Sequence, residues 1–243
     1  MAALSGCKKT ALATNMIDSI RRIDPYSIVV NEMNEYLEYN EEVDRDLIKI
    51  PIVSTYFNKA EQETLTERQQ DAFYQVLDSK FPGAELIKET VNDCWDYSAK
   101  SHTLVYPDGH TAFLPVVEYK ETRIEIDELE HSKITYRHKI NCPSVNSASL
   151  LANLIHGTDS FVIRELVRRC NNFNVEVCPI HDAVGAHPND MNIVRWVYIG
   201  ILAEIAEADF LDDLLVQLGS EEKFIKLSDD LHLDILNSEY MLC

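Results

Sequence analysis

The sequence is short of glycine and of positive charge, and these two shortages narrow the class of protein first. Only 7 of its 243 residues are glycine and 46% are hydrophobic, which favours a globular chain over a disordered one. Lysine and arginine number 22 against 41 acidic residues, so the formal net charge is −19. This balance argues against a free-standing nucleic-acid-binding protein, because contact with phosphate favours Lys and Arg. A nucleic-acid role would need locally basic surfaces, a partner chain, or both.

The chain also lacks a long apolar segment, a leader pattern and a cysteine framework. Its most apolar stretch, 196–205, is interrupted by Glu204 and is too short to span a bilayer. The first nine residues lack the basic-then-apolar order of a signal peptide. The six cysteines are scattered without a C-x-x-C spacing, which indicates reduced thiols. We therefore expect a soluble cytosolic protein without a membrane partner.

Apolar periodicity predicts an α+β chain with helices on both sides of a β-rich middle. The helical segments are expected at 5–39, 64–77, 150–169 and 190–218. The pair Asp24-Pro25 predicts a fresh helix start, with the aspartate as cap and the proline in the first turn. Thr64 or Thr66 is expected to cap the second helical segment. Between 101 and 140, alternating β-branched and aromatic residues predict strands and a hairpin.

The stretch around His181-Asp182 predicts a β-hairpin with this pair at or near its tip. Residues 175–180 alternate and are rich in β-branched side chains, which is typical of a strand. Gly185 and Pro188 resist helix and permit a turn followed by a second strand. A carboxylate held at such a tip is well placed to bind a metal ion. An ordinary turn aspartate is the alternative reading.

Several separated stretches resemble the single-subunit RNA polymerases of bacteriophages and mitochondria. The segment 153–159 is similar to that family's N-x-x-H-x-x-D motif, and His181-Asp182-Ala183 follows where the family has a His-Asp-Ser hairpin. Residues 106–123 resemble its P-D-G…E-Y-K…T-R region. The tail 231–238 resembles its L-x-L…I-L-x-S ending, which in the family packs back at the active centre. The resemblance implies a polymerase right-hand fold, here the fingers and part of the palm, with the His-Asp hairpin flanked by helices.

The family's nucleotide-binding helix carries R-x-x-x-K-x-x-x-M-x-x-x-Y-G. The corresponding residues here, without a gap, are Arg45, Lys49, Val53, Phe57 and Asn58. Steps of four place such side chains near one face of a helix. The resemblance implies that Arg45 and Lys49 stabilise the negative charge of the triphosphate, with a solvated charged face as the alternative.

Two departures from this pattern affect the expected site. Phe57 stands where the family's tyrosine senses the sugar, so either that hydroxyl is missing or Tyr56 supplies it after a shift of one residue. Pro51 disfavours a helix interior, so the helix is expected either to kink or to begin near Pro51.

The start of the sequence implies that the enzyme is split. Leu4-Ser5-Gly6 resembles the end of the family's D-x-x-x-S-G motif, and counting back places the first catalytic aspartate at position 1, which is methionine here. We therefore expect the smaller subunit of a heterodimeric phage polymerase, whose partner subunit carries the N-terminal part and the first aspartate. The expected divisions are an N-terminal palm segment (1–35), fingers with the nucleotide-binding helix and a candidate specificity hairpin (36–150), and palm with catalytic hairpin and C-terminal foot (151–243).

The resemblance also implies a two-Mg²⁺ mechanism, cofactors and further contacts. Asp182 is the expected metal ligand, whereas His181 is read as a positioning or nucleic-acid contact because Mg²⁺ prefers oxygen. His156 is expected to contact the duplex near the growing end, with a buried histidine bonded to its own helix as the alternative. The candidate promoter-reading residues are Lys133, Arg137 and Lys139. The implied partners are template DNA, RNA, nucleoside triphosphates and an accessory single-stranded-DNA-binding factor, in the cytoplasm of an infected bacterium.

Two other classes of protein remain as alternatives. A metal phosphohydrolase of the His-Asp type also uses separated histidines and a His-Asp pair, but carries that pair within a helix of an all-α bundle. A non-catalytic acidic partner protein is favoured by the charge of −19 and by the methionine at the position of the first carboxylate.

Overall fold

The computed structural model describes residues 1–57, 65–143, 148–180, 183–239 and 241, without the side chains of residues 57, 148 and 149. Within these ranges the chain has an α+β fold, as predicted. The helices are α1 (Ala2–Ser5), α2 (Lys8–Ala13), α3 (Pro25–Tyr36), α4 (Arg45–Phe57), α5 (Glu67–Lys80), α6 (Pro82–Asp93), α7 (Ala148–Asn172), α8 (Met191–Glu207), α9 (Phe210–Gln217) and α10 (Leu231–Ile235). The strands are β1 (Ser101–Val105), β2 (Thr111–Pro115), β3 (Val117–Ile126), β4 (Ser132–Asn141), β5 (Val177–Ile180) and β6 (Ala183–Ala186).

Side-chain caps fix the starts of three helices in the first third of the chain. Asp24 accepts a hydrogen bond from the backbone of Tyr26 at 3.2 Å and Pro25 opens α3, which confirms the predicted start. Thr66 forms a capping box with Gln69 at the start of α5, so Thr66 is the cap. Asp44 accepts from the backbone of Leu47 at 2.8 Å, just before α4.

The start of α4 at Arg45 decides between the two expectations for this helix. The helix runs through Pro51 and does not begin there, so the second expectation is wrong. Proline has no backbone N–H to donate to the preceding turn. The cap supplied by Asp44 and the burial of Ile48 hold the first turn in place despite that loss.

The β-rich middle and the later hairpin form three separate antiparallel pairs. β1 pairs with β2, β3 with β4, and β5 with β6, each with its neighbour in sequence. The turn between β1 and β2 contains Gly109, whose φ of 80° lies in the left-handed region that favours glycine. The predicted strands are therefore present, and β3 and β4 together form a long, largely exposed ribbon of ten residue pairs.

The prediction of a single long helix at 190–218 is wrong. The backbone is extended at Ala208, which separates α8 from α9. Lys226 donates to the carbonyl oxygens of Ala206, Glu207 and Ala208 at 2.6, 3.1 and 2.5 Å. These bonds satisfy carbonyl groups at the end of α8 that would otherwise need a further helical turn. A lysine 18 residues beyond Ala208 thus ends the helix, and apolar periodicity carries no sign of it.

The described residues contain two hydrophobic cores. The larger core collects side chains from α1, β1, α7, α8, α9 and α10, including Leu104, Leu154 and Ile201. The smaller one joins α3, α4 and α5 through Met33, Ile48 and Phe73. Met1 packs against both cores. No helix in the described ranges is long and apolar enough to cross a membrane.

Candidate active site

The predicted strands lie on both sides of the His-Asp pair. β5 and β6 are antiparallel, with Ile180 opposite Ala183, while His181 and Asp182 themselves lie outside the described residues. Val177 and Val184 pack against the larger core, and the backbone of Val175 donates to Cys170 at the end of α7. The hairpin is therefore anchored to the longest helix of the described chain.

A cleft runs beside this hairpin. It has a volume of about 570 Å³ and takes lining residues from both strands and from the segments that enter and leave them. These lining residues are Asn174, Glu176, Val177, Cys178, Gly185, Ala186, His187 and Asp190. The cleft thus lies at the open end of the hairpin, beside the pairs Val177–Ala186 and Cys178–Gly185.

Two of the stretches that carry the family resemblance pack directly on each other. Tyr106, which follows β1, lies against Gly157 on α7 so closely that a Cβ at Gly157 would stand 1.9 Å from the tyrosine hydroxyl oxygen. Asp108 forms a bidentate ion pair with Arg164 on the same helix. This guanidinium lowers the pKa of the Asp108 carboxyl, and backbone hydrogen bonds act in the same direction. The region around Pro107 is therefore fixed to α7.

The residues just before the tail, together with Asp234 within it, meet the N-terminal segment. The backbone of Leu227 donates to the carbonyl of Ser5 at 2.8 Å. Gly6 has a φ of 66°, and a Cβ there would lie 2.5 Å from the carbonyl oxygen of Ser228. Lys8 bridges Asp230 and Asp234 at 2.7 and 2.8 Å. Residues 5–8 are thus held against residues 227–234.

His156 and Asp159 are both exposed on α7. The alternative of a buried histidine at position 156 is therefore wrong. Asp159 interacts electrostatically with the amino group of Met1, whose pKa is lowered by burial and raised in part by this carboxylate. Met1 stands where the resemblance places the first aspartate, so the N-x-x-H-x-x-D segment lies near that position.

The basic residues of α4 are in different situations. Arg45 forms an ion pair with Asp24 at 2.9 Å and lies over the ring of Tyr26, 5.0 Å from its centroid. Lys49 is exposed and forms no ion pair within the part of the chain that the structure describes. Lys49 is therefore available to bind a phosphate, whereas Arg45 would first have to break its ion pair with Asp24.

Tyr56 does not present a free hydroxyl. It donates to Glu85 on α6 at 2.8 Å, and burial together with that carboxylate raises the pKa of Tyr56. Phe57 is the last residue of α4, with its side chain outside the described set, and Asn58 lies outside the described residues. The alternative in which Tyr56 senses the sugar would require its hydroxyl to exchange Glu85 for the ribose.

The three basic candidates on β4 share one face of the ribbon. Directly paired residues of antiparallel strands lie on the same face, and Lys133, Arg137 and Lys139 pair with Glu125, Glu121 and Tyr119. The Arg137 guanidinium lies 4.8 Å and the Lys139 amine 5.6 Å from the centre of the Tyr119 ring. Lys133 approaches Glu125 at 3.4 Å. The opposite face is apolar at Ile124, Ile134 and Tyr136.

A group that sequence reasoning missed lies at the far end of this ribbon. Glu125, Asp127 and His131 bring ligand atoms within 4.8 Å of one another, all exposed, and could hold a metal ion. One imidazole with two carboxylates suits a transition metal better than Mg²⁺. The left-handed backbone of Glu130 and His131 folds the turn back to form the group, and the spacing alone gives no signal of that.

No model of a known protein family matches this sequence, and no curated protein matches it significantly.

Proposed function

We propose that this chain is a subunit of a DNA-directed RNA polymerase of the phage and mitochondrial single-subunit type. In this proposal it forms fingers and part of the palm of a right-hand fold, and its partner subunit carries the N-terminal part and the first catalytic aspartate. Asp182 is one metal ligand. The second carboxylate of the metal site is assigned to the partner subunit.

The observation that carries the proposal is the β5–β6 pairing. Strands on both sides of His181-Asp182, anchored to α7 through the backbone of Val175, suit a carboxylate held at the end of a rigid support. The same strands speak against the phosphohydrolase alternative, in which the pair belongs to a continuous helix. The close packing of Tyr106 on Gly157 adds support, because both residues lie in stretches that resemble one family.

The donor chemistry fits the ions that the reaction requires. Asp182 offers the hard oxygen ligands that Mg²⁺ prefers. Two Mg²⁺ ions, when bound, supply activation of the RNA 3′-hydroxyl and neutralisation of the leaving pyrophosphate.

The chain's own residues do the remaining work in this mechanism. Lys49 binds the triphosphate and stabilises its charge as the bond breaks, with Arg45 joining after release from Asp24. His181 and His156 position nucleic acid, and Tyr56 or Phe57 contacts the sugar. Lys133, Arg137 and Lys139 contact the promoter. The low positive charge favours single-stranded template delivered by an accessory factor in the cytoplasm of the infected host.

The test is Asp182→Asn in the reconstituted complex of this chain with the partner encoded by a neighbouring reading frame. We expect Mg²⁺-dependent RNA synthesis to fall by a factor of about 100 or more, because a metal ion contributes several kcal/mol to the transition state. Asp71→Asn is the matched control, since Asp71 is an exposed aspartate on α5, and it should retain activity. Assembly is followed by gel filtration for both variants.

The same experiment separates the two remaining classes of function. Undiminished synthesis by the assembled Asp182→Asn complex would refute the assignment of this ligand. Absence of synthesis from every wild-type complex, with stable assembly, would favour the non-catalytic acidic partner protein.

A further inference from the structure

We propose that the cavity between the two hydrophobic cores binds a small, uncharged aromatic molecule. Its volume is about 390 Å³, which lies in the range of small-molecule sites. Residues of the larger core, such as Leu202, form one wall, and residues of the smaller core, such as Leu77, form the other. The argument for this site does not rest on the proposed catalytic function, although Tyr56 belongs to both proposals.

The lining selects for an aromatic ring. Tyr26, Tyr56, Tyr198 and Phe81 offer ring faces and edges. The three methionines of the lining are Met1, Met16 and Met241. Methionine side chains adapt their shape and make favourable sulfur contacts with aromatic rings. A flat ring system therefore finds more partners here than a branched aliphatic molecule does.

The lining also selects against charge. No Asp, Glu, Lys, Arg or His side chain belongs to the described lining. Met1 belongs to the lining, and its amino group already has an electrostatic partner in Asp159, while burial lowers the pKa of that group. A charged ligand would lose its hydration without compensation, so the occupant is uncharged.

One polar atom on the ligand has a defined partner. The hydroxyl of Tyr56 already donates a hydrogen bond to Glu85. The hydroxyl of Tyr198 makes no hydrogen bond to the described residues, although burial is strong enough to raise the pKa of this tyrosine. A phenol-like hydroxyl or a ring N–H on the ligand can pair with the hydroxyl of Tyr198, because this residue belongs to the lining. The ligand class is thus an uncharged ring carrying one hydrogen-bonding group.

The location is testable because the chain has five methionines, and only three of them line the cavity. Methyl-labelled methionine in the full-length chain is titrated with phenol and observed by NMR. We expect saturable shifts of the Met1, Met16 and Met241 methyl signals. Met33, buried in the smaller core, and Met191, partly exposed at the start of α8, should not shift, and so serve as internal controls. No saturable shift up to millimolar phenol, or equal shifts of all five signals, would overturn the proposal.

The chemistry is tested by comparing phenol with toluene. Wild-type protein should bind phenol more tightly, by roughly two- to tenfold, because one net hydrogen bond is gained. Tyr198→Phe removes only the hydroxyl and should bring the phenol affinity down to that of toluene. An unchanged ratio of affinities in this variant would overturn the assigned partner.

Blocking the rim supplies the last control. Thr14→Trp, at the exposed end of α2, should abolish binding of both probes, whereas Leu12→Trp, exposed on the same helix outside the lining, should not. Ile52→Trp is the second blocking variant should Thr14→Trp fail to fold. Phenol binding that survives in a folded blocking variant would contradict the site.

Discussion

Gly157 shows how tightly a single position can be specified. Glycine inside a helix usually costs stability relative to alanine, by about 0.5–1 kcal/mol, because the unfolded chain has more freedom. Here it sits on α7 directly under the buried ring of Tyr106. A methyl group would meet the hydroxyl oxygen at 1.9 Å and the ring carbon Cζ at 2.4 Å. The rigid ring cannot make room as a flexible side chain would.

Gly157→Ala should therefore destabilise the protein by about 1–3 kcal/mol, the usual cost of overpacking. Gly200→Ala on α8 is the matched control, because nothing lies within 4 Å of its Cβ position. That variant should be more stable than the wild type by up to ~1 kcal/mol. Urea unfolding followed by circular dichroism measures both changes. Equal effects from the two substitutions would show that Tyr106 is not held against α7.

At the scale of elements, the ribbon of β3 and β4 carries its basic residues on one face and apolar residues on the other. The register puts Tyr119, Arg123, Lys133, Arg137 and Lys139 on one face, with two glutamates among them. Tyr119 lies within 6 Å of both the Arg137 and Lys139 cations, so an aromatic surface accompanies the charge. This is a locally basic surface on a chain whose net charge is −19.

Replacing Lys133, Arg137 and Lys139 together by glutamine should weaken nucleic-acid binding by the assembled complex. It should also reduce the slope of log affinity against log salt by up to about 3, one for each phosphate that the variant no longer neutralises. Lys133 should contribute least, because Glu125 already lies beside it. Fluorescence anisotropy at several salt concentrations gives the slope.

The control for this variant removes the same charge elsewhere. Lys9, Arg21 and Arg22 are exposed and lie outside the ribbon. Their triple glutamine variant should leave the salt slope within about 0.5 of the wild type, since the ribbon still neutralises the same phosphates. Equal slopes for the two triple variants would mean that the ribbon has no special role in binding nucleic acid.

The elements that could be predicted from sequence are those whose signals are local. Asp24-Pro25 and Thr66 mark helix starts through caps within three residues, and alternation marks the strands. The end of α8 could not be predicted, because Lys226 caps it from a distant segment. The predicted helices also do not include α6, which Pro82 opens in the first turn, where proline is favoured.

The candidate site likewise has some features that local sequence predicts and others that depend on distant residues. The hairpin flanks of His181-Asp182 follow from alternation and turn residues. Arg45 pairs with Asp24, 21 positions away, and Asp108 pairs with Arg164, 56 positions away. The spacing of residues in the sequence gives no information about partners at such distances. The group of Glu125, Asp127 and His131 depends on two left-handed residues in a turn, which the sequence does not mark with glycine.

At the scale of the whole molecule, the first and last parts of the chain are joined by charge. Lys8 on α2 reaches Asp230 and Asp234, 222 and 226 positions away. This lysine lowers the pKa of Asp230 from 3.8 to about 2, and the two carboxylates raise the pKa of Lys8. A carboxyl whose folded pKa is lowered contributes stability above its unfolded pKa and loses it as the pH falls through the folded value. The bridge therefore acts between about pH 4 and pH 10, the unfolded pKa values of the two partners.

Lys8→Gln should lower the unfolding temperature at pH 7 and low salt, and the deficit should shrink between pH 4 and pH 2 as Asp230 gains its proton. The partners are largely exposed, so added salt should also shrink the deficit. Lys9→Gln is the matched control, because Lys9 is exposed on the same helix and forms no ion pair within the described ranges. Thermal unfolding of the three proteins from pH 2 to pH 7 measures the effect. A deficit that persists unchanged at pH 2 would mean that Lys8 stabilises the docked tail through packing of its methylene groups and not through charge.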